Sequence, residues 1–408
     1  MKILLVSHYF PPEIGAPQAR LSEMAASWAK SGHEVTVLTG MPNHPTGIIP
    51  TEYQGAVLRE EFIDGYRVVR TWLYATPNEG FVKKTLGHLS FMITSILLGI
   101  TKVNKPDIVI VSSPTFFSIF SAWVISGIKR ANLIVEIRDL WPAIFVELGV
   151  LTNKTVIKIL EVLELYAYRV SDAVVVVTEG FLENLVSRGV PREKITVIRN
   201  GVDLDKFKSA PCDLEIKKEL GATKDDIVVL YIGAHGISHG LISIAKTAQL
   251  LKDERNIHFV FVGEGAAKKD LVEYVNENDI KNVTFLAGQP RERVPLILGA
   301  ADICLVPLRD VPLFTSFIPS KIFEYLASEK AVIGSLSGEP AKILSESGAV
   351  VVPPENPEML AKAIKELSNS KDLRDTMAKT GRSYVEQNFD RTKLADDYLS
   401  LMERVTGL

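Results

Sequence analysis

Lys321 and Glu324 stand three residues apart in the segment LFTSFIPSKIFEYL, residues 313–326, and combine a cation with a carboxylate in one short stretch. The segment leaves an apolar strand ending near Leu308, crosses a loop closed by Pro319, and enters a helix. Ser320 is placed as its N-cap, where a hydroxyl accepts a free backbone N–H of the first turn. Residues three apart share a helix face. Cation, carboxylate and unpaired amides would then meet at one helix N-terminus, which suits an anion that also carries hydroxyls. Taken alone, the same residues also describe a capped surface helix with an exposed Lys–Glu pair.

Other strand-to-helix turns offer partners. HYFPPEIGAPQAR, residues 8–20, puts Gly15 where backbone must approach a ligand closely and Pro17 at the start of a helix. YIGAHGISHG, residues 231–240, carries Gly233, Gly236 and Gly240 ahead of a helix, a phosphate cradle by composition. His235 and His239 are four apart, but Gly236 argues against a helix and no third ligand is near in sequence. Metal is therefore not expected there, and His239 reads as a donor to phosphate. VGEGAAKKD, residues 262–270, gives Gly-Glu-Gly with Lys268 where a dinucleotide fingerprint needs its third glycine. EIRDLWP, residues 136–142, sets Arg138 and Asp139 just past an apolar strand, either as a buried ion pair or as groups facing a cleft. RNGVD, residues 199–203, is a further polar turn at a domain crossing.

The elements that would position these turns alternate. Strands are read at 3–6, 35–38, 108–111, 133–137, 173–177 and 195–198, with helices at 16–30, 115–129, 154–170 and 179–188. A long loop with Pro42, Pro45, Gly47, Pro50 and Gly55 precedes more strand at 66–72. After a polar connection over 201–226 the alternation restarts: strands at 227–232, 258–262, 283–286, 303–306, 332–334 and 350–352, each followed by helical pattern. The fold class is therefore α/β, with two doubly wound, Rossmann-like parallel sheets facing across a cleft. Residues 1–204 form the first domain and 205–390 the second, with the terminal helix of 391–408 packing back on the first. The net charge of −3 excludes a basic field for nucleic acid. Two cysteines without metal or redox spacing suit a reducing cytoplasm.

Residues 86–100, LGHLSFMITSILLGI, fall short of the roughly 20 apolar residues that span a bilayer. On a helical wheel Leu86, Leu89, Met92, Ile93, Ile96, Leu97 and Ile100 form one apolar face. It reads as a core helix or, with Lys83, Lys84, Trp72 and Tyr74 nearby, as one touching lipid.

In order, GHEVTVLT, RDLWP, RNGVDLDKF, VGEG, AADICLVPL and PSKIFEYLASEKAVIG resemble the retaining GT-B glycosyltransferases of glycosyltransferase family four. PPEIGAPQAR, PNHPTG, RDLWP and PSKIFEY are most similar to the bacterial branch of N-acetyl-L-fucosaminyltransferase-like enzymes of O-antigen and capsule assembly. The resemblance implies a UDP-sugar held mainly by the second domain and a polyprenyl-diphosphate-linked glycan held by the first, at the cytoplasmic face of the membrane. It places Glu324 on the ribose, Gly15, Gly233 and Lys321 near the diphosphate, and Glu264 near the base. Pro319, Ser320 and Ile322 complete the donor segment, and Arg138, Asp139 and Lys321 form the catalytic set. Leu89, Ile93, Ile96 and Leu97 would meet acceptor or membrane. Ser316 stands where the family often has a sugar-binding Glu, Arg138–Asp139 where many members have His, and His239 where the wider family has Lys. No Asp-x-Asp metal site is needed if Lys321, His239 and helix amides stabilise the leaving diphosphate, so metal independence and front-face retention are expected. A UDP-sugar epimerase of the same architecture, or a sugar-nucleotide-binding protein without chemistry, are the alternatives.

Overall fold

Short runs of Val and Ile that are apolar on both faces belong in a sheet covered by helices on each side, and both halves of this chain are built that way. The computed structural model describes residues 1–44, 46–77, 81–113, 116–147, 149 and 151–408. Pro45, counted among the loop prolines, and Thr115, read as the first residue of a helix, lie outside the described residues. Two compact units divide the chain, Met1–Asn200 with Arg391–Leu408, and Gly201–Asp390.

In the first unit the strands are β1 (Lys2–Val6), β2 (Glu34–Gly40), β3 (Leu58–Ile63), β4 (Tyr66–Thr71), β5 (Ile108–Ser112), β6 (Asn132–Ile137), β7 (Ala173–Val176) and β8 (Ile195–Val197). They pair in the order β3-β4-β2-β1-β5-β6-β7-β8, all parallel except the β3–β4 hairpin. Sequence reading missed β3. LREEFI carries three consecutive charged residues on a half-exposed edge, unlike the doubly buried strands. The Asp64–Gly65 turn that closes it has positive φ at both residues, the geometry Asp-Gly favours in hairpins. One face of the sheet packs Ile3, Leu5, Val35 and Val37 against helices Ala16–Lys30 and Arg391–Thr406. Trp28 is buried there, stacked edge-on to Tyr398 at 5.3 Å and donating Nε1–H to the Ala395 carbonyl at 3.0 Å.

The second unit holds β9 (Ile227–Ile232), β10 (Ile257–Val262), β11 (Val283–Leu286), β12 (Ile303–Pro307), β13 (Ala331–Ser335) and β14 (Val350–Val352). Their order β11-β10-β9-β12-β13-β14 is parallel throughout. Strand order reverses between β9 and β12. In such sheets the turns leaving the carboxyl ends of those two strands splay apart and leave a ligand crevice. Helix Lys371–Asn388, which sequence reading passed over because it is mostly polar, presents only a thin stripe including Met377, Gly381 and Val385 to the core.

Candidate functional site

At the reversal point of the second unit, Gly233 follows β9 and the loop after β12 leads to helix Lys321–Ala327. Tyr325 ties them together: its hydroxyl donates to the Ile232 carbonyl at 3.0 Å and accepts from the Ile232 N–H at 3.1 Å. That clamp sets Lys321 against Gly233. A Cβ at position 233 would lie 2.9 Å from Lys321 Nζ, and φ there is +143°, so glycine is required twice over. Lys321 Nζ stands 3.7 Å from the centre of the Tyr231 ring and has no hydrogen-bond partner. Burial, partly opposed by Glu324, lowers its pKa to about 7. A buried ammonium satisfied only by an aromatic face is poised to receive an anion.

His239 joins the same cluster, its ring 5.9 Å from that of Tyr231. Its Nδ1 lies 3.4 Å from the Pro307 carbonyl, which fixes the ring proton there. Burial and then the Lys321 charge push its pKa down to about 3. The neutral ring donates to a phosphate only after gaining a second proton. Both ring nitrogens of His235 are buried without partners, and among the described residues no three His, Cys, Asp or Glu side chains gather as metal ligands.

The expected Lys–Glu pair does not form. Glu324 Oε1 instead accepts from Arg291 Nη1 at 2.9 Å, and the Arg291 guanidinium lies 5.1 Å from the Phe207 ring centre. Arg291, Tyr231 and Tyr325 are thus site residues that sequence reading missed, since each reaches the site from a different element. Ser320 does not cap the helix. Its backbone is already helical (φ −60°, ψ −24°), which swings the hydroxyl away from the first-turn amides, and no side-chain cap bond exists. The first-turn amides of Ile322 and Phe323 bond instead to the Pro319 and Ser320 carbonyls. Ile322 is fully buried, so its visible role is packing. Ser316 donates its hydroxyl to the Leu313 carbonyl at 3.1 Å within a short 3₁₀ turn.

The Gly-Glu-Gly turn has a packing explanation. A Cβ on Gly263 would meet the Gly233 carbonyl at 1.9 Å, so two loop backbones touch here. The Glu264 carboxylate faces outward, paired with Lys268 at 2.7 Å, and that hydrogen bond holds its pKa below the usual carboxylate range.

In the first unit, Gly15 precedes helix Ala16–Lys30 in extended backbone, with the Gln18 side chain filling the space a Cβ would need. The buried ion pair is Arg20–Glu136, at 2.9 Å and 1% exposed on both sides, rather than Arg138–Asp139. Ser112 donates to Glu136 Oε1 at 2.8 Å, and Arg20 also donates to the Arg199 carbonyl at 2.7 Å. Glu136 therefore has its charge neutralised by the neighbouring helix, which leaves Arg138 Nε and Nη1 buried with no partner. Burial, with Arg20 and Arg391 adding, lowers Arg138 to about 10, against the pull of Glu136 and Asp139. Burial raises Asp139, against Arg138.

The apolar helix of this unit is longer than its sequence segment: it runs through Phe81–Thr94, a π turn Ser95–Gly99 and Ile100–Lys102. Residues Lys83–Lys102 are long and apolar enough, by length and composition alone, to cross a membrane. The buried stripe is Gly87, Phe91, Ser95 and Gly99, with Gly99 against Leu38 of the sheet. The apolar face therefore points outward: Ile93 is 49% and Leu97 65% exposed, and Leu89 and Ile96 are half-buried. A plain core helix is excluded by that orientation.

Family models match both halves of the chain: a glycosyl transferase 4-like domain over residues 15–201 and glycosyl transferases group 1 over residues 213–384. The fold is shared with solved structures. HepE from Anabaena, in complex with UDP and glucose, superposes with a TM-score of 0.75 at 17% identity over 99% of both chains. Sucrose-phosphate synthase from Thermosynechococcus elongatus does so with 0.74 at 16% identity over 100% of both. The Escherichia coli protein designated colanic acid biosynthesis glycosyl transferase WcaI is 24% identical over 98% of this chain and 99% of its own. Two parallel-sheet units of this kind define the GT-B fold. The chain is a glycosyltransferase.

Proposed function

We propose that the chain transfers a sugar, with retention, from a UDP-sugar to a polyprenyl-diphosphate-linked glycan during assembly of a surface polysaccharide. The observation that carries this reading is Lys321, a buried ammonium without a hydrogen-bond partner, set against a glycine at the sheet-reversal point. HepE's complex with UDP and WcaI's designation support the donor class and the pathway class. Glu324, held by Arg291 through one oxygen, offers its second oxygen to ribose hydroxyls. As the sugar–phosphate bond breaks, charge grows on the departing diphosphate. Lys321 stabilises it where it develops, in the role a metal plays in other sugar-nucleotide enzymes. A diphosphate oxygen then takes the proton of the attacking acceptor hydroxyl on the same face. The branch resemblance extends the reading to an N-acetylated deoxyhexosamine or hexosamine donor. The outward face around Leu89, Ile93, Ile96 and Leu97 holds the enzyme at the cytoplasmic membrane surface.

Incubating the protein with a panel of UDP-sugars, with and without prenyl-diphosphate-linked acceptor, tests this. Donor consumption that requires the acceptor is the expected result. Interconversion of UDP-sugars without acceptor would replace transfer by epimerisation, and binding without turnover would reduce the chain to a sugar-nucleotide binder.

A further inference from the structure

Three of the seven histidines converge at the carboxyl edge of the first unit's sheet, although they lie far apart in sequence. His8 follows β1, His44 lies in the loop after β2, and His88 sits on helix Phe81–Thr94. The rings of His8 and His88 are 4.4 Å apart, Tyr9 lies 4.5 Å from His8, and His44 is 5.2 Å from Tyr9. Glu13 fastens the loops beneath them, accepting the backbone N–H groups of Phe10 at 3.0 Å and of Asn43 and His44 at 2.8 Å. His8 is 5% exposed, and Nδ1 of both His8 and His88 is buried with no partner. Lys84, one helical turn before His88, brings its charge to bear on both His88 and His44.

We propose that His8, His44 and His88, with Lys84, form the subsite for the diphosphate head of an amphiphilic acceptor. The proposal rests on the reading of the acceptor as a lipid diphosphate, and it assigns residues to a part of that acceptor which no resemblance located. Each imidazole carries a proton-accepting nitrogen in a place where protonation is costly without a counter-charge. Burial, with mutual repulsion among His8, His88 and His44, holds His8 well below the ordinary imidazole value. Burial with Lys84 lowers His88 to about 4. A bound diphosphate supplies the missing counter-charge, so the rings gain protons and become charged donors around it. Tyr9, Glu13, Arg70 and Lys84 are the other ionisable groups acting on this cluster. Burial raises Glu13 to about 7, against its three N–H donors and Arg70, so its ionisation at higher pH repels an anion and works in the same direction as loss of imidazole charge. The three rings are not placed to share a metal ion. The helix that carries His88 and Lys84 is also the one whose outward side is apolar, which brings a head-group site and a lipid-facing surface onto one element.

The test uses the full chain with UDP saturating, so that the second unit's anion site is occupied. Farnesyl diphosphate and inorganic pyrophosphate are titrated calorimetrically at pH 6 and pH 8, beside vesicles containing phosphatidylglycerol. The expected result is proton uptake and at least tenfold tighter diphosphate binding at pH 6, competitive between the two probes. His88→Gln should lose both features, and so should Lys84→Gln, an exposed change that leaves the core intact. Vesicle binding should be unchanged in His88→Gln, since it uses the outward apolar side and the exposed lysines before it. Diphosphate binding that is independent of pH, or equal in Lys84→Gln, overturns the subsite, and so does parallel loss of vesicle and diphosphate binding in His88→Gln. Transfer from UDP-sugar to a lipid-free glycan acceptor separates this outcome from failure of the proposed function: if it proceeds while diphosphate does not bind, only the subsite fails.

Discussion

The ligand edges of the two sheets solve different electrostatic problems. In the second unit the carboxylates are committed, Glu324 to Arg291 and Glu264 to Lys268, while the Lys321 amine lies against the Tyr231 ring without a hydrogen-bond partner. In the first unit the imidazoles of the loop cluster are kept neutral by burial, and Arg138, after β6, keeps partnerless nitrogens. The contrast suits the proposed pair of substrates, a nucleotide donor that is always anionic and an acceptor whose charged head must be admitted beside an apolar chain. Binding couples to protonation in both units, through the single amine of Lys321 in the second and through several imidazoles in the first.

The largest effect is expected from Lys321→Met, which keeps the volume but removes the ammonium. UDP-sugar transfer should fall a hundredfold or more by the usual worth of a desolvated charge contact, about 3 kcal/mol. The free protein should melt no lower, because an amine that is costly to bury has been removed. A melting temperature that drops together with activity would make Lys321 a structural residue. The same amine gives a sign to the pH dependence. Its folded-state pKa of about 7 lies below the ordinary lysine value. The unfolded chain therefore keeps a proton that the folded free protein releases, and stability from this group rises with pH above about 7. Binding of UDP reverses that by taking the proton up, so affinity should weaken by up to about tenfold per pH unit above pH 7. Lys321→Met should flatten both slopes.

Glu324→Ala, with loss of charge-assisted bonds to ribose at ~1.5–3 kcal/mol, should weaken transfer roughly ten- to hundredfold, read as kcat/KM for the UDP-sugar. Unchanged kinetics would remove Glu324 from the donor site. On the first unit, Ile93→Glu should cost most of the vesicle binding and of transfer to lipid-linked acceptor, and leave UDP affinity untouched. Equal partition with and without the new carboxylate would return that face to solvent. Smallest is Arg291→Met: a single supporting bond worth about 1 kcal/mol predicts roughly fivefold weaker UDP-sugar use with intact diphosphate affinity.

Much of this was legible in the chain. Doubly apolar runs located the parallel strands, turn glycines after a strand pointed to Gly233, and the Lys-Glu spacing at a helix start pointed to Lys321. What escaped shares one cause, that its meaning depends on long-range placement. Arg291 lies 33 residues from Glu324, and Tyr325 clamps a strand 93 residues away. No local pattern reports either. Ser320 shows the converse error, since a favourable cap residue was overruled by a helical backbone set by the preceding Pro319 turn. The apolar helix was found correctly, but only its packing could say that the small residues face inward and the large ones outward. Edge strand β3 was missed because it is charged, although its Asp-Gly turn was readable.

The return of helix Arg391–Thr406 to the first unit means that the second unit is encoded wholly inside the first. During synthesis the residues from Gly201 to Asp390 emerge as one uninterrupted block with all their pairing partners present. The first unit, begun earlier, waits for the last helix before Trp28 finds Ala395 and Tyr398. Truncation after Asp390 should therefore yield a chain with a completed second unit and a first unit whose core is open. The helix that closes the first unit is thus made only after the whole of the second.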